Sequence, residues 1–269
     1  MEPKVVLITG ASSGIGKICA EHLHGRGFKV YGASRTSPAT KPGYDHIQIN
    51  VDDDASVAAG INRIVVTNGR IDAVVNCAGF GIAGSVEDTS VAEAKAQFET
   101  NFFGVLRICK AVLPSMRQHH SGLIINISSI AGVVSLPFQG FYSAGKFALE
   151  GMTEALRMEV APYGVRVVLV EPGDFRTQFA ANRKLTEKSQ NDSAYQERFN
   201  KALTVFEKEE NNGADPTAIA RLIERLIRKP NPKLRYSVGP AFQRVVPALK
   251  QILPHKLYER LFMKYYNIG

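Results

Sequence analysis

The stretch Thr9-Gly10-Ala11-Ser12-Ser13-Gly14-Ile15-Gly16 follows the apolar run Val5-Val6-Leu7-Ile8 and leads into a helical pattern over residues 15–24. A short, continuous run rich in β-branched residues is what a parallel strand buried on both faces requires. Glycines at 10, 14 and 16 let the turn close, let the backbone approach a pyrophosphate, and let the helix pack near the strand. The helix beginning near Ile15 offers free N–H groups and a positive dipole end to such a phosphate. The spacing is G-x-x-x-G-x-G, which departs from the common G-x-G-x-x-G fingerprint. Its position after a first buried strand separates it from an ordinary tight turn.

Three more strong runs share the composition of the first: residues 71–75, 123–127 and 165–170. Weaker strands fit at 29–33 and 46–49, and a last one at 234–238. Helical patterns lie between them at 55–67, 91–116 and 142–160. Alternating strands and helices imply right-handed crossovers and a doubly wound α/β fold. The expected architecture is a parallel seven-stranded Rossmann-type sheet with helices on both faces. One domain is expected over residues 1–269, with a C-terminal helical extension at 240–269. The strong strands end in Thr9-Gly10, Asn76-Cys77-Ala78-Gly79, Ser128-Ser129 and Glu171-Pro172-Gly173. Ligands of open α/β sheets bind at these carboxyl ends, so the four ends mark one site.

The composition excludes several classes. With 45% hydrophobic residues, 14 Phe and 9 Tyr in 269 residues, the chain is not globally disordered. No apolar run approaches the roughly 18 residues of a membrane span. Met1-Glu2-Pro3-Lys4 passes straight into a strand, so no cleaved leader is expected. Cys19, Cys77 and Cys109 are an odd set without metal-ligand spacing. They read as reduced thiols of a cytoplasmic protein, with no metal site. The net charge of +8 resides in residues 215–269, where eleven Lys/Arg face three Asp/Glu. Basic residues are not interleaved with stacking aromatics, so nucleic acid is not an expected partner.

Tyr142-Ser143-Ala144-Gly145-Lys146 puts a phenol and an ammonium on one helix face. A free tyrosine titrates near 10, so lowering it by about three units needs roughly 4 kcal/mol of favourable interaction. Ser129 stands thirteen residues earlier, at the end of a strand, and is placed to bond the oxygen that Tyr142 protonates. Asn101, in Thr100-Asn101-Phe102-Phe103-Gly104, carries a propensity cost inside a helix. Taken singly, these patterns also fit a solvated helix face and a satisfied polar spot.

In order, TGASSGIG, NCAG, N-x-x-G, ISS, Y-x-x-x-K and PG resemble the short-chain dehydrogenase/reductase family over about residues 4–179, and more weakly beyond. The stretches Phe28-Lys29-Val30-Tyr31 and Lys146-Phe147-Ala148-Leu149-Glu150-Gly151 are similar to its 17β-hydroxysteroid and retinol dehydrogenase branch. The resemblance implies that Tyr142 is the acid/base and that Lys146 lowers its pKa and binds the nicotinamide ribose. Ser129 would orient the substrate carbonyl and Asn101 would hold a water. It also implies cofactor contacts at Gly10, Ser12, Ser13, Gly14, Ile15 and Gly16 around the pyrophosphate. Val51, Asn76, Ala78 and Gly79 would lie along the cofactor, with Asn76 on the adenosine side. Pro172, Gly173 and Thr177 would lie by the nicotinamide amide. Asn50 stands where the family commonly has an acid, and Cys77 replaces an asparagine. The implied reaction interconverts a carbonyl and an alcohol, in a homodimer or homotetramer joined through the helices at 91–116 and 142–160. A non-catalytic NADP(H)-binding sensor is the alternative, and a nucleotide-sugar epimerase fits the chain less well.

Cofactor choice is read from Gly32-Ala33-Ser34-Arg35-Thr36. An NAD enzyme usually places an acid there for the ribose hydroxyls. Ser34 and Arg35 instead suit a 2′-phosphate, so NADP is expected. Residues 174–213 are polar, with little strand or helix pattern, and read as a substrate lid. Phe242, Val245, Val246, Leu249, Ile252 and Leu253 make one helical stripe, and Leu257, Leu261 and Tyr265 a second, flanked by Lys256, Arg260 and Lys264. These helices either cap the sheet or pack on a neighbouring subunit, or they border the pocket mouth beside Phe138 and Phe175. In the last case the basic edge rests on an anionic membrane surface or guides an acidic lipid. The expected substrate is bulky and apolar: a steroid, retinoid or long-chain carbonyl compound.

Overall fold

In a computed structural model, which describes residues 2–37, 40–191 and 193–269, every residue of strand β1 (Val5–Thr9) is buried. The chain continues through α1 (Gly14–Gly25), β2 (Lys29–Ser34), β3 (Asp45–Gln48), α2 (Asp54–Asn68), β4 (Ala73–Asn76) and a short β5 (Ile82–Ala83). Next come α3 (Val91–Phe98), a π-helical turn (Glu99–Phe103), α4 (Gly104–Gln118), β6 (Gly122–Ile127), α5 (Gly140–Val160) and β7 (Val165–Pro172). The last part holds β8 (Lys184–Leu185), α6 (Glu187–Asn191), α7 (Gln196–Asn211), α8 (Thr217–Arg228), β9 (Arg235–Val238), α9 (Ala241–Ile252) and α10 (His255–Tyr265).

Seven strands pair in parallel in the order β3-β2-β1-β4-β6-β7-β9, and β5 and β8 form a separate pair. One face of the sheet packs on α1 and α8, through Cys19, Leu23, Ile223 and Leu226. The other packs on α2, α4 and α5, through Ile61, Ile108, Val112 and Leu149. The chain winds from β1 to β3 one way and resumes at β4 on the other side of β1. The crevice therefore opens at the carboxyl ends of β1 and β4, the switch point where such folds bind ligands. The Thr9 hydroxyl stitches that edge by accepting the N–H groups of Cys77 and Ala78, both at 3.1 Å.

Three expectations change. The helix expected over 91–116 is broken by the π turn, in which the Gly104 N–H returns to the Glu99 carbonyl. Residues 174–213 are not featureless: α7 is sixteen residues long and buries Phe199, Ala202 and Phe206. Helix α8 was not read at all, although Ile219, Ala220, Leu222, Ile223, Leu226 and Ile227 make one buried stripe along it. Among the described residues no helix is long and apolar enough to cross a membrane.

Candidate active site

The carboxyl ends of the strands open into a cavity of about 810 Å3 that runs from Gly10 to the C-terminal Tyr266. At its β1 end the backbone of the turn is tight. Gly10 has φ +68°, and a Cβ there would lie 2.9 Å from the Ala78 backbone. A Cβ on Gly16 would lie 2.3 Å from the Gly10 carbonyl oxygen. Gly14, at φ +52°, meets only the Thr177 Cβ, at 3.9 Å, which leaves open space between the two. Ser13 caps α1 with an extended backbone, but its hydroxyl makes no capping bond, and the first turn carries no acid. Open space at a helix N-terminus lined by unengaged donors fits a pyrophosphate.

Farther along this end, Ser12, Ile15, Ser34, Arg35, Val51, Ala78 and Gly79 all line the cavity. The Ser34 hydroxyl donates to the Thr36 carbonyl at 2.8 Å and lies 2.8 Å from His46 Nε2. Arg35 is exposed at the rim. Two expected contacts lie elsewhere. Asn50, half-buried and outside the cavity lining, closes a local turn, its Oδ1 accepting the Asp52 N–H at 3.3 Å. Asn76 is buried within the sheet and donates to Asn126 Oδ1 at 2.8 Å. The acid that sequence reading looked for at position 50 stands two residues later. Asp52 lines the cavity, accepts from the Thr100 hydroxyl at 3.1 Å, and keeps Oδ1 buried without a partner. An unpaired buried acceptor is suited to an amino group of the bound molecule.

Midway, Ser129, Tyr142 and Lys146 come together with Pro172, Gly173 and Thr177. Ser129 begins a short 3-10 turn after β6, its hydroxyl accepting the Ala131 N–H at 3.1 Å. Tyr142 lies in the first turn of α5, 8% exposed, its ring 5.7 Å from that of Phe179. Lys146, one turn on, is buried and donates Nζ to the Ile127 carbonyl at 2.8 Å. Burial pushes the Tyr142 phenol up to about 12; the Ser129 hydroxyl draws it down, and the nearby Glu210 and Asp174 carboxylates raise it. Burial brings Lys146 down to about 8, against the pull of Cys77 and Glu150. The Lys146 ammonium, engaged by the Ile127 carbonyl, stands 5.9 Å from the Tyr142 ring centre. Tyr142 thus holds its proton firmly.

Asn101 is 1% exposed in the π turn. Its Nδ2 donates to the Phe80 carbonyl at 2.8 Å and its Oδ1 accepts the Phe80 N–H at 3.1 Å. The amide thus braces the loop after β4, and Asn101 also lines the cavity, with one N–H and one lone pair of its side chain beyond these two bonds.

The far end is mostly apolar, with Glu209 and Glu210 of α7 as acidic exceptions. Phe206 comes from α7, Val246 and Leu249 from α9, Leu253 from the turn after it, and Tyr258, Leu261 and Phe262 from α10. Gln243 latches α9 to the loop after β7, accepting the Asp174 N–H at 2.8 Å. Phe175 lines the cavity as expected; Phe138 instead packs on Phe199, with ring centres 5.7 Å apart.

The sequence profile of the short chain dehydrogenase family matches residues 4–188. This chain belongs to that family. As a short-chain dehydrogenase/reductase it is an oxidoreductase, and it is similar to several other members. A 3-ketodihydrosphingosine reductase of Bacteroides thetaiotaomicron is 42% identical over 268 residues, covering 100% of both chains. Mouse 17-beta-hydroxysteroid dehydrogenase type 1 is 34% identical, over 88% of this chain and 74% of that one. A short-chain dehydrogenase of Streptomyces avermitilis superposes with a TM-score of 0.83 at 31% identity, covering 98% of this chain and 97% of the other. One from Burkholderia cenocepacia, solved in complex with NADP, superposes with a TM-score of 0.73 at 25% identity, over 97% and 98%. The short-chain dehydrogenase profile ends at residue 188. Most of the apolar wall, from α7 to α10, comes after it. Sequence reading missed Asp52, Asp174, Glu210 and Gln243 in this enzyme's cavity. For Asp52 the signal was present in Asn50-Val51-Asp52-Asp53-Asp54, whose acids were passed over.

Proposed function

We propose that this enzyme reduces the ketone of a long-chain sphingoid base with NADPH. The observation that carries the reading is where the similarity extends. The match to the Bacteroides reductase runs the length of both chains, through the α7–α10 wall and not only through the cofactor half. The wall's composition agrees, because a long alkyl chain needs an extended apolar lining and few polar groups to orient it.

Bound NADPH supplies the hydride. Tyr142 Oη gives its proton to the substrate oxygen, and burial keeps the phenol protonated through the neutral range. That makes it a weaker acid, but the alkoxide formed by hydride addition is a stronger base still and takes the proton. The Ser129 hydroxyl bonds the same oxygen and fixes its direction. Lys146, still mostly protonated near neutral pH, binds the nicotinamide ribose. Gly10, Ser13 and Gly16 make room for the pyrophosphate, Asp52 takes the adenine amino group, and Arg35 pairs with the 2′-phosphate.

Incubation with 3-ketodihydrosphingosine, a steroid ketone and a small polar ketone tests the substrate. The sphingoid is expected to be reduced with kcat/KM at least about tenfold above the others, the value of roughly 1.4 kcal/mol of extra apolar contact. Equal or better turnover of the small polar ketone would end the proposal, and preference for the steroid would move it to the mouse enzyme's class. For the cofactor, Arg35→Ala is expected to weaken NADPH binding about 10- to 150-fold, the loss of one charge-assisted bond. NADH binding should not change, and a titration of both in which they weaken equally would refute the assignment.

A further inference from the structure

Phe242, Leu249 and Leu261 face two ways. Each lines the cavity, and each is also exposed, at 57%, 39% and 52%. They are therefore a rim. Val245, Ile252 and Leu257, which do not line the cavity, continue this apolar surface at 50%, 78% and 45% exposure. Helices α9 and α10 fold back on each other, with the Phe242 and Tyr265 ring centres 5.8 Å apart. Lys256, Arg260 and Lys264 stand exposed along α10 at spacing four. Residues 241–269 carry five Lys/Arg against one acid, Glu259.

We infer that this rim seats the cavity mouth on an anionic lipid bilayer, so that the substrate enters from the membrane without crossing water. An apolar face bordered by lysine and arginine is how a helix lies in a bilayer interface. Charge argues against a second copy of the chain: two such faces apposed would bring the six lysine and arginine side chains of two α10 helices together, each helix holding a single acid, Glu259. An anionic headgroup layer supplies the opposite sign. The inference takes its rationale from the lipid-substrate reading, but it is measured by binding alone.

The test is flotation of the purified protein with phosphatidylglycerol-containing vesicles and with pure phosphatidylcholine vesicles, at low and physiological salt. Binding is expected to the anionic vesicles, stronger at low salt. Combining Lys256→Gln, Arg260→Gln and Lys264→Gln should weaken it about 100-fold, at roughly five-fold per charge. Combining Val245→Ser, Ile252→Ser and Leu257→Ser should abolish it. Both variants should reduce a short water-soluble ketone as the parent does, which checks that they are folded. Absence of flotation with anionic vesicles at low salt would overturn the inference, as would flotation unchanged by both sets of substitutions. If the parent does not float and the serine substitutions lower its mass in sedimentation, the face belongs to a second copy and the inference falls. Vesicle binding without reduction of a ketosphingoid would end the proposed substrate and leave the bilayer contact standing.

Discussion

A Tyr142→Phe variant is expected to lose about 100- to 10,000-fold in turnover, the usual contribution of a positioned acid, while its affinity for NADPH and its thermal stability stay close to those of the parent. The ring remains against Phe179, and only the hydroxyl is removed from its buried setting. The pH profile of the parent follows from the same groups. A phenol pushed up to about 12 stays protonated throughout the working range, so it sets no limb for reduction near neutrality. Lys146 is the group that titrates. Its pKa is lowered, so it is charged below about 8 and loses its proton above. Reductive kcat/KM should therefore be flat at neutral pH and fall as pH rises through about 8. A steady-state profile over that range checks the sign. Turnover by the phenylalanine variant near the parent's rate would remove Tyr142 from the chemistry.

The second large effect is Gly16→Ala. In an open helix this change is favourable by about 1 kcal/mol. Here the new methyl would sit 2.3 Å from the Gly10 oxygen and 2.8 Å from its carbonyl carbon. Neither atom can yield, because Gly10 is itself held against the Ala78 backbone and the Thr9 hydroxyl ties that edge to β4. Overpacking against backbone costs about 1–3 kcal/mol and opens the phosphate turn. We expect a lower melting temperature and a roughly 10- to 100-fold weaker Kd for NADPH. Gly25→Ala, at the end of the same helix with nothing within 4 Å of its Cβ position, is the control. It should leave NADPH binding alone and hold or raise the melting temperature. Equal effects of the two substitutions on NADPH affinity would show that the turn is not the cradle.

These sites differ in how plainly the amino acids announce them. β1, β4, β6 and β7 are buried almost throughout, so their apolar runs stand out even where Asn126 interrupts β6 and Arg166 interrupts β7. Their boundaries shift by a residue or two, since pairing continues past the last apolar side chain, as at Asn76 and Pro172. The π turn is different. It leaves the residue types of a helix unchanged and alters only their phase, so Asn101 read as an oddity inside one long helix. Helix α7 escaped notice because most of it is solvated and charged, with only Phe199, Ala202 and Phe206 turned in. Helix α8 is legible in its apolar spacing, with Ile219, Leu222, Ile223, Leu226 and Ile227 three and four residues apart. The far wall of the cavity was not legible as a wall, because its members come from α7, α9 and α10 and meet only through tertiary packing.

That wall rests on little. The clusters beneath it are small: Ala202, Phe206, Tyr266 and Ile268 form one, and Ile130, Val134 and Val246 another. The sheet is clamped by two far larger cores. Segments with few buried contacts open by local unfolding at a fraction of the global cost. The molecule accordingly has two tiers of packing, a broad core beneath the nucleotide-binding end of the cavity and a thin one beneath its far wall. Loosening the far wall would therefore cost little of the sheet's stability, and proteolysis or amide exchange should reach α7, α9 and α10 before it reaches the strand that precedes Ser129 or the helix that carries Tyr142.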